Sequence, residues 1–196
     1  MSLDVLLQNA EGGDESFGID LKRYQRMQIN AVNRTARWAR RVLMVEPFSK
    51  ATGVRRVIFN DRITLRQATN NTPMASITPS SRGIPARSYK HRADSVNGSK
   101  LRARVLVAWW RGEKVAAGFI NPSSDRKLPL ATHSVAQRTS RAGKAKTYQY
   151  NYEVPRTAQG PSAAALFQVA IDDGARDQVA DRLAEEFNRD LDEELF

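Results

Sequence analysis

The sequence predicts an α+β fold, with long N- and C-terminal helices around a small, mostly antiparallel β-sheet. Apolar residues recur at alternating spacings of three and four over 21–45, and at spacings of four from Val179 to Leu195. Between these stretches the pattern shortens to alternating runs, the clearest being 101–110. A turn at 111–114 separates that run from a second, 115–120, as in a hairpin.

In chain order, residues 1–20 read as an arm, because Gly12, Gly13 and Gly18 interrupt any helix and Asp20 suits an N-cap. The helix after it carries Leu21, Tyr24, Gln28, Ala31, Thr35, Trp38, Val42 and Val45 on one stripe, which is the expected buried face. Arg23, Arg26, Asn30, Arg34, Arg37 and Arg41 form a second stripe without interleaved Glu, and Pro47 is expected to end the helix. A second helix is expected over 54–69, although Val57-Ile58-Phe59 and Ile63-Thr64-Leu65 also suit strands. Short strands are expected at 74–79 and 84–89. The alternation of Tyr148, Tyr150, Tyr152 and Val154 predicts a further strand. Pro161-Ser162 opens a helical region with a joint at Gly174, and Leu183, Phe187, Leu191 and Leu195 continue its apolar seam. The expected organisation is an acidic arm (1–20), a basic α+β core (21–160) and an acidic helical extension (161–196).

Composition bounds the chemistry. The 196 residues include no cysteine, which excludes disulfides, thiol catalysis and cysteine-based metal sites. Two histidines cannot supply a three-histidine zinc site. No cofactor and no metal are expected. The longest apolar run, 105–110, is far short of a bilayer span, and the start lacks the basic segment of a secretory signal, so no membrane association is expected. No phosphate loop, dinucleotide fingerprint or hydrolase elbow is present. His91 with Asp94, or His133 with Ser134, can be drawn into a triad on paper, but such pairs arise from composition alone. The expectation is a protein that is not an enzyme.

Charge is the most informative feature. Residues 1–20 hold five acids and no Lys or Arg, and 171–196 hold ten acids and three arginines. The intervening body carries 28 basic residues against six acidic ones. Two Ser-, Gly- or Pro-rich connections concentrate that charge, 80–100 and 121–147. They supply the candidate nucleic-acid contacts Arg82, Arg87, Lys90, Arg92, Arg126, Lys127, Arg138, Arg141, Lys144 and Lys146, since phosphate contact needs positive charge but no sequence code. The ordinary alternative is a set of solvated loops. The acidic C-terminal helix and the arginine stripe are complementary, so Arg34, Arg37, Arg41, Leu183, Phe187, Leu191 and Leu195 are the candidate subunit interface. Docking of that helix on its own chain is the competing outcome.

Four segments carry a family resemblance: Ala31-Val32-Asn33-Arg34-Thr35-Ala36; Leu65-Arg66-Gln67-Ala68-Thr69 followed by Met74-Ala75-Ser76-Ile77; Pro85-Ala86-Arg87; and Ala117-Gly118-Phe119-Ile120. Taken in order over roughly 28–120, they resemble the minor tail protein Z, or tail-completion, family of long-tailed bacteriophages. The chain lacks the dense Arg/Lys run that such proteins can carry before the central hairpin, and it adds the acidic C-terminal helix. The resemblance implies a structural virion protein of the tail or neck, assembled in the host cytoplasm. Such proteins form a ring, commonly sixfold, around a DNA channel. Its implied partners are further copies of itself, tail-tube, tail-terminator or head–tail connector proteins, and DNA contacted without sequence preference. The alternative from charge alone is a cellular basic nucleic-acid-binding protein.

Overall fold

A computed structural model describes residues 3–5, 21–95, 103–131, 134–136, 146–148 and 157–195. The fold is α+β, with long helical segments near both ends and antiparallel sheets. Two compact units share the chain. The first comprises Met1–Ser49, Arg56–Ser81 and Ala163–Phe196, and the second Lys50–Arg55 and Arg82–Ser162. These units cut across the expected arm, core and extension. The C-terminal helices are integral to the first unit, and strand β1 (Leu3–Val5) is an edge of its sheet.

The first unit contains helix α1 (Leu21–Trp38), which passes without a break into a π-helical segment, Ala39–Val45, and then into α2 (Glu46–Thr52), of which residues 46–49 belong to this unit. Its buried face is formed by Met27, Ala31, Val32, Thr35 and Ala36. This face is rotated from the expected stripe. Leu21 is 68% exposed and Trp38 is only half-buried. Pro47 does not stop the helix. It follows directly on the π-helical turn, in which the Glu46 amide donates to the Arg41 carbonyl five residues back.

The expected helix at 54–69 is split. Helix α3 (Arg56–Arg62) gives way to strand β2 (Ile63–Arg66), where β-branched Ile63 and Thr64 pair with β3 (Ala75–Pro79). The sheet order is β1-β3-β2. Ile63, Ala75 and Ile77 face a core shared with Phe48, Phe59, Leu166 and Phe167, and Phe48 meets Phe59 edge-on at 5.7 Å. The Asn33 side chain clamps the end of the hairpin. Its Nδ2 donates to the Ala68 carbonyl (3.0 Å) and its Oδ1 accepts from the Ala68 amide (2.7 Å). Helix α4 (Ala163–Ala170) is joined to α5 (Arg176–Leu195) through Gly174, the expected joint, which adopts φ +88°.

The second unit is a five-stranded antiparallel sheet of order β4-β10-β7-β6-β5. Its strands are β4 (Gly83–Pro85), β5 (His91–Ser95), β6 (Ala103–Trp109), β7 (Gly112–Ile120) and β10 (Gln159–Ser162). A separate ribbon pairs β8 (Ser134–Ala136) with β9 (Lys146–Tyr148). The expected hairpin is β6–β7, and its alternation buries Ala103, Val105 and Val107. Residues 84–89 form β4 followed by a 3-10 turn, Ala86–Ser88, in place of one strand. The tyrosine alternation beyond Tyr148 lies outside the described residues.

Gly118 is a demanding position in this sheet. At φ +153°, a Cβ there would lie 2.4 Å from the Leu130 carbonyl oxygen and 2.5 Å from the Ala158 Cβ. Gly118→Ala should cost about 3 kcal/mol or more, combining backbone strain with overpacking. Gly112→Ala, at φ +137° but with open space around it, should cost less, about 1–2 kcal/mol. Urea unfolding of both variants measures this, and equal losses would show that the Leu130 approach is not the constraint.

Candidate functional site: the basic surfaces

The two basic connections are more structured than expected. The first contains β5, and Arg92 on that strand is neutralised by Glu113. Its Nε donates to Oε1 at 2.8 Å and its Nη2 to Oε2 at 2.7 Å. Hydrogen bonding from Arg92 holds the Glu113 carboxyl below its ordinary value. The neighbouring Asp94 pairs with Arg104 across the strands at 2.8 Å. His91 lies three residues from Asp94, on the opposite face of the strand, and its Nδ1 sits 2.9 Å from the Tyr89 carbonyl. The pair His91 and Asp94 is therefore not assembled into a triad, and His133 lies outside the described residues.

Lys90 is stitched in by its backbone, donating to the Thr52 carbonyl and accepting from the Ala108 amide, while its side chain covers Gly53. Its neighbour Tyr89 is buried and donates its hydroxyl to the Pro161 carbonyl at 2.7 Å, and burial pushes that hydroxyl's pKa up. Arg82 and Arg87 are exposed, as are Arg126 and Lys127. The last two end a series of turns organised by Asn121, with Lys127 at φ +43°. Arg138, Arg141 and Lys144 lie outside the described residues. Lys146 belongs to β9, and its side chain is likewise outside the description.

The acidic helix is met within the chain. Arg34 of α1 donates through Nε to Glu186 Oε2 and through Nη2 to Asp190, each at 2.6 Å, and Glu186 and Asp190 present the i, i+4 spacing of one helix face. Arg182 and Arg189 close on the same Glu186 carboxylate, and Arg182 also reaches Glu185 at 3.0 Å. Tyr24 stands edge-on to Phe187 at 5.7 Å. Leu183 is buried and Phe187 and Leu191 are half-buried, while the side chain of Leu195 lies outside the description. Arg34, Leu183 and Phe187 are thus engaged within their own chain, as in the competing outcome of docking in cis.

Arg37 and Arg41 remain. Both are exposed, and among the described residues neither makes a hydrogen bond or ion pair. They line a groove of about 610 Å³ in the first unit, with Arg34, Arg40, Arg56, Arg182, Trp38, Val45, Asn60, Leu65 and one acid, Glu46. Arg40 is fixed by two carbonyls, Ile63 (2.8 Å) and Asn60 (2.9 Å), which orient its charge without cancelling it. Arg56 approaches Glu46 only at 3.7 Å. The Arg182 guanidinium lies 5.8 Å from the centre of the Trp38 ring. Arg40, Arg56, Asn60 and Arg182 were not among the sequence candidates. Their convergence depends on tertiary packing, and only the stripe Arg34, Arg37 and Arg41 marked the place.

Among the described residues, no cluster of three or more His, Asp or Glu could hold a metal ion, and no helix is long and apolar enough to cross a membrane. No family model, curated protein or solved structure matches the chain.

Glu186 is 4% exposed. Burial alone would raise its pKa, but the hydrogen bond from Arg34 and the charges of Arg182, Arg189 and Arg34 outweigh it and hold it below the ordinary value. Its stabilisation is therefore present above the unfolded glutamate value of about 4.3 and is lost as pH falls below it. Glu186→Gln should lower stability by about 2 kcal/mol at pH 7 and reduce the further loss on acidification. Unfolding curves at pH 7 and pH 3 check both parts, and identical acid losses in variant and wild type would exclude Glu186 as the titrating group. Deleting 175–196 removes Val179 and Leu183 from the first unit's core, so the truncated chain should lose cooperative thermal unfolding of that unit. A truncated protein that melts like the full chain would show that α5 is dispensable to it.

Proposed function

We propose that the protein is a non-enzymatic structural component of a tailed-phage or prophage virion, of tail-completion or head–tail joining type, assembled as a ring around the DNA channel. The observation that supports this most is how the four resembling segments are used. Asn33, in the first, clamps Ala68 in the second, and Leu65 and Arg66 pair with Ile77 and Ser76. Pro85 and Ala117, in the third and fourth, both pair with Gln159, and the Ala86 amide donates to the Ala158 carbonyl. The shared letters fall on contacts that define the two units, which is where a resemblance of fold would leave them.

On this reading a head-to-tail interface between copies closes a ring, commonly sixfold, and the virion tail or neck is its location. Tail-tube, tail-terminator or connector proteins are its neighbours. The exposed loop residues Arg82, Arg87, Arg126 and Lys127 give the second unit an outward charge suited to sequence-neutral DNA contact. A cellular nucleic-acid-binding protein shares that charge but needs no ring. Co-expression with tail-tube and terminator proteins, followed by native mass spectrometry and negative-stain microscopy, separates the two. A ring that joins tail tubes is the expected result. A monomer or dimer that copurifies with cellular RNA or DNA and ignores tail proteins would replace this reading with the cellular one.

A further inference from the structure

We infer that the arginine-lined groove of the first unit is a binding site for the phosphate groups of a single-stranded nucleic acid. Its charge balance comes first. Arg34 and Arg182 are met by Glu185, Glu186 and Asp190. Arg37, Arg40, Arg41 and Arg56 face only Glu46 across the groove, and two of the four have no partner among the described residues. Arg37, Arg40 and Arg41 crowd onto adjoining turns, where like charges at spacings of three and four repel. An anion in the groove removes that repulsion.

The backbone is a second, independent observation. Arg40 and Arg41 lie on the π-helical segment Ala39–Val45, and Val45 of the same segment also lines the groove. π-Helical turns are uncommon and concentrate at functional sites. Here the wider turn accompanies the arrival of Arg40 at the carbonyls of Asn60 and Ile63, which holds one guanidinium ready at the groove wall.

Wall chemistry decides between occupants. Guanidiniums dominate the lining of the groove, and Glu46 is the one acid in it. A sugar–phosphate strand is narrow, and guanidinium forks match its oxygens. Trp38 and Asn60 in the same wall offer the stacking and amide contacts that unpaired bases use. The site lies outside the loop contacts named for the virion role, and it does not depend on that role.

The test uses the full-length chain and a fluorescein-labelled 15-nucleotide oligothymidylate, read by anisotropy between 50 and 200 mM salt. The Arg37→Gln/Arg41→Gln double variant should bind at least tenfold more weakly. Its log-salt slope should be shallower by about 1.4, for two contacts at ~0.7 each on a single strand. Glu46→Gln should bind about two- to threefold more tightly, since it removes the one acid. Both arginines are exposed and unpaired among the described residues, so the melting temperature should not move. Unchanged affinity in the double variant overturns the proposal. Equal or tighter binding of polyglutamate reassigns the groove to an acidic protein segment. Self-association that is lost in the double variant without nucleic acid reassigns it to a subunit contact. A duplex of the same length bound as tightly as the single strand also overturns it. Ring assembly is read in a separate experiment, so either result stands without the other.

Discussion

Burial of the Glu186 carboxylate between two helices governs how the first unit is put together. An ionised group in that position is tolerated only if it is paired and hydrogen-bonded, and three guanidiniums converge on it from two helices. Among the described residues Arg34 contributes the one from outside α5, so it fixes which turn of α1 lies against which turn of α5. The Tyr24–Phe187 edge contact lies along the same seam. A terminal helix that looked detachable in the sequence thereby becomes part of a core.

The same pairing explains which charges are left over. The acidic end of the chain is partly consumed at home, since Glu185, Glu186 and Asp190 balance Arg34, Arg182 and Arg189. One arginine stripe is thus divided in two. Its Arg34 turn is neutralised, while its Arg37 and Arg41 turns keep their charge beside Arg40. On the sheet of the second unit the division repeats on a smaller scale. Arg92 and Arg104 are met by Glu113 and Asp94, and the exposed charge moves to Arg87, Arg126 and Lys127. Net charge per segment, which sequence supplies, does not report this partition.

The legible features rest on local physics. The 3.6-residue period over α1, the alternation of β6 with its hairpin partner, and the Gly174 joint each depend on residues within a few positions of one another. The misses are of another kind. Strand β2 wins Ile63 and Thr64 from helix α3 because β3 is there to pair with them. The strand His91–Ser95 has little apolar signature of its own and forms because β6 offers an edge. The π-helical turn that lets the helix pass Pro47 leaves no periodic trace. The groove gathers residues from 34 to 182, so its sequence signal was one stripe of arginines, read as a surface for another subunit.

The chain order adds a constraint on how these contacts can form. Arg34 and Glu186 are 152 residues apart, and closing a loop of that length costs roughly 4 kcal/mol of chain entropy. Exposed ion pairs, at about 0–1 kcal/mol each, do not meet that cost comfortably, and the buried Glu186 cluster is near break-even against its own desolvation. Burial of Val179 and Leu183, at about 1.5–3 kcal/mol each, does meet it. The apolar seam therefore supplies the affinity of α5 for the rest of the first unit, and the arginines supply its register. The second unit eases the closure from within. Gly83 and Ser162, close to its entry and exit, pair directly between β4 and β10, and in the first unit the Ala164 amide donates to the Ser80 carbonyl. Once that sheet forms, roughly half of the 152-residue loop is already closed, a saving of about 0.6 kcal/mol in equilibrium terms. The larger effect is kinetic. Folding the inserted sheet first turns the most non-local contact of the chain into a shorter search, which is the direction in which folding rates rise.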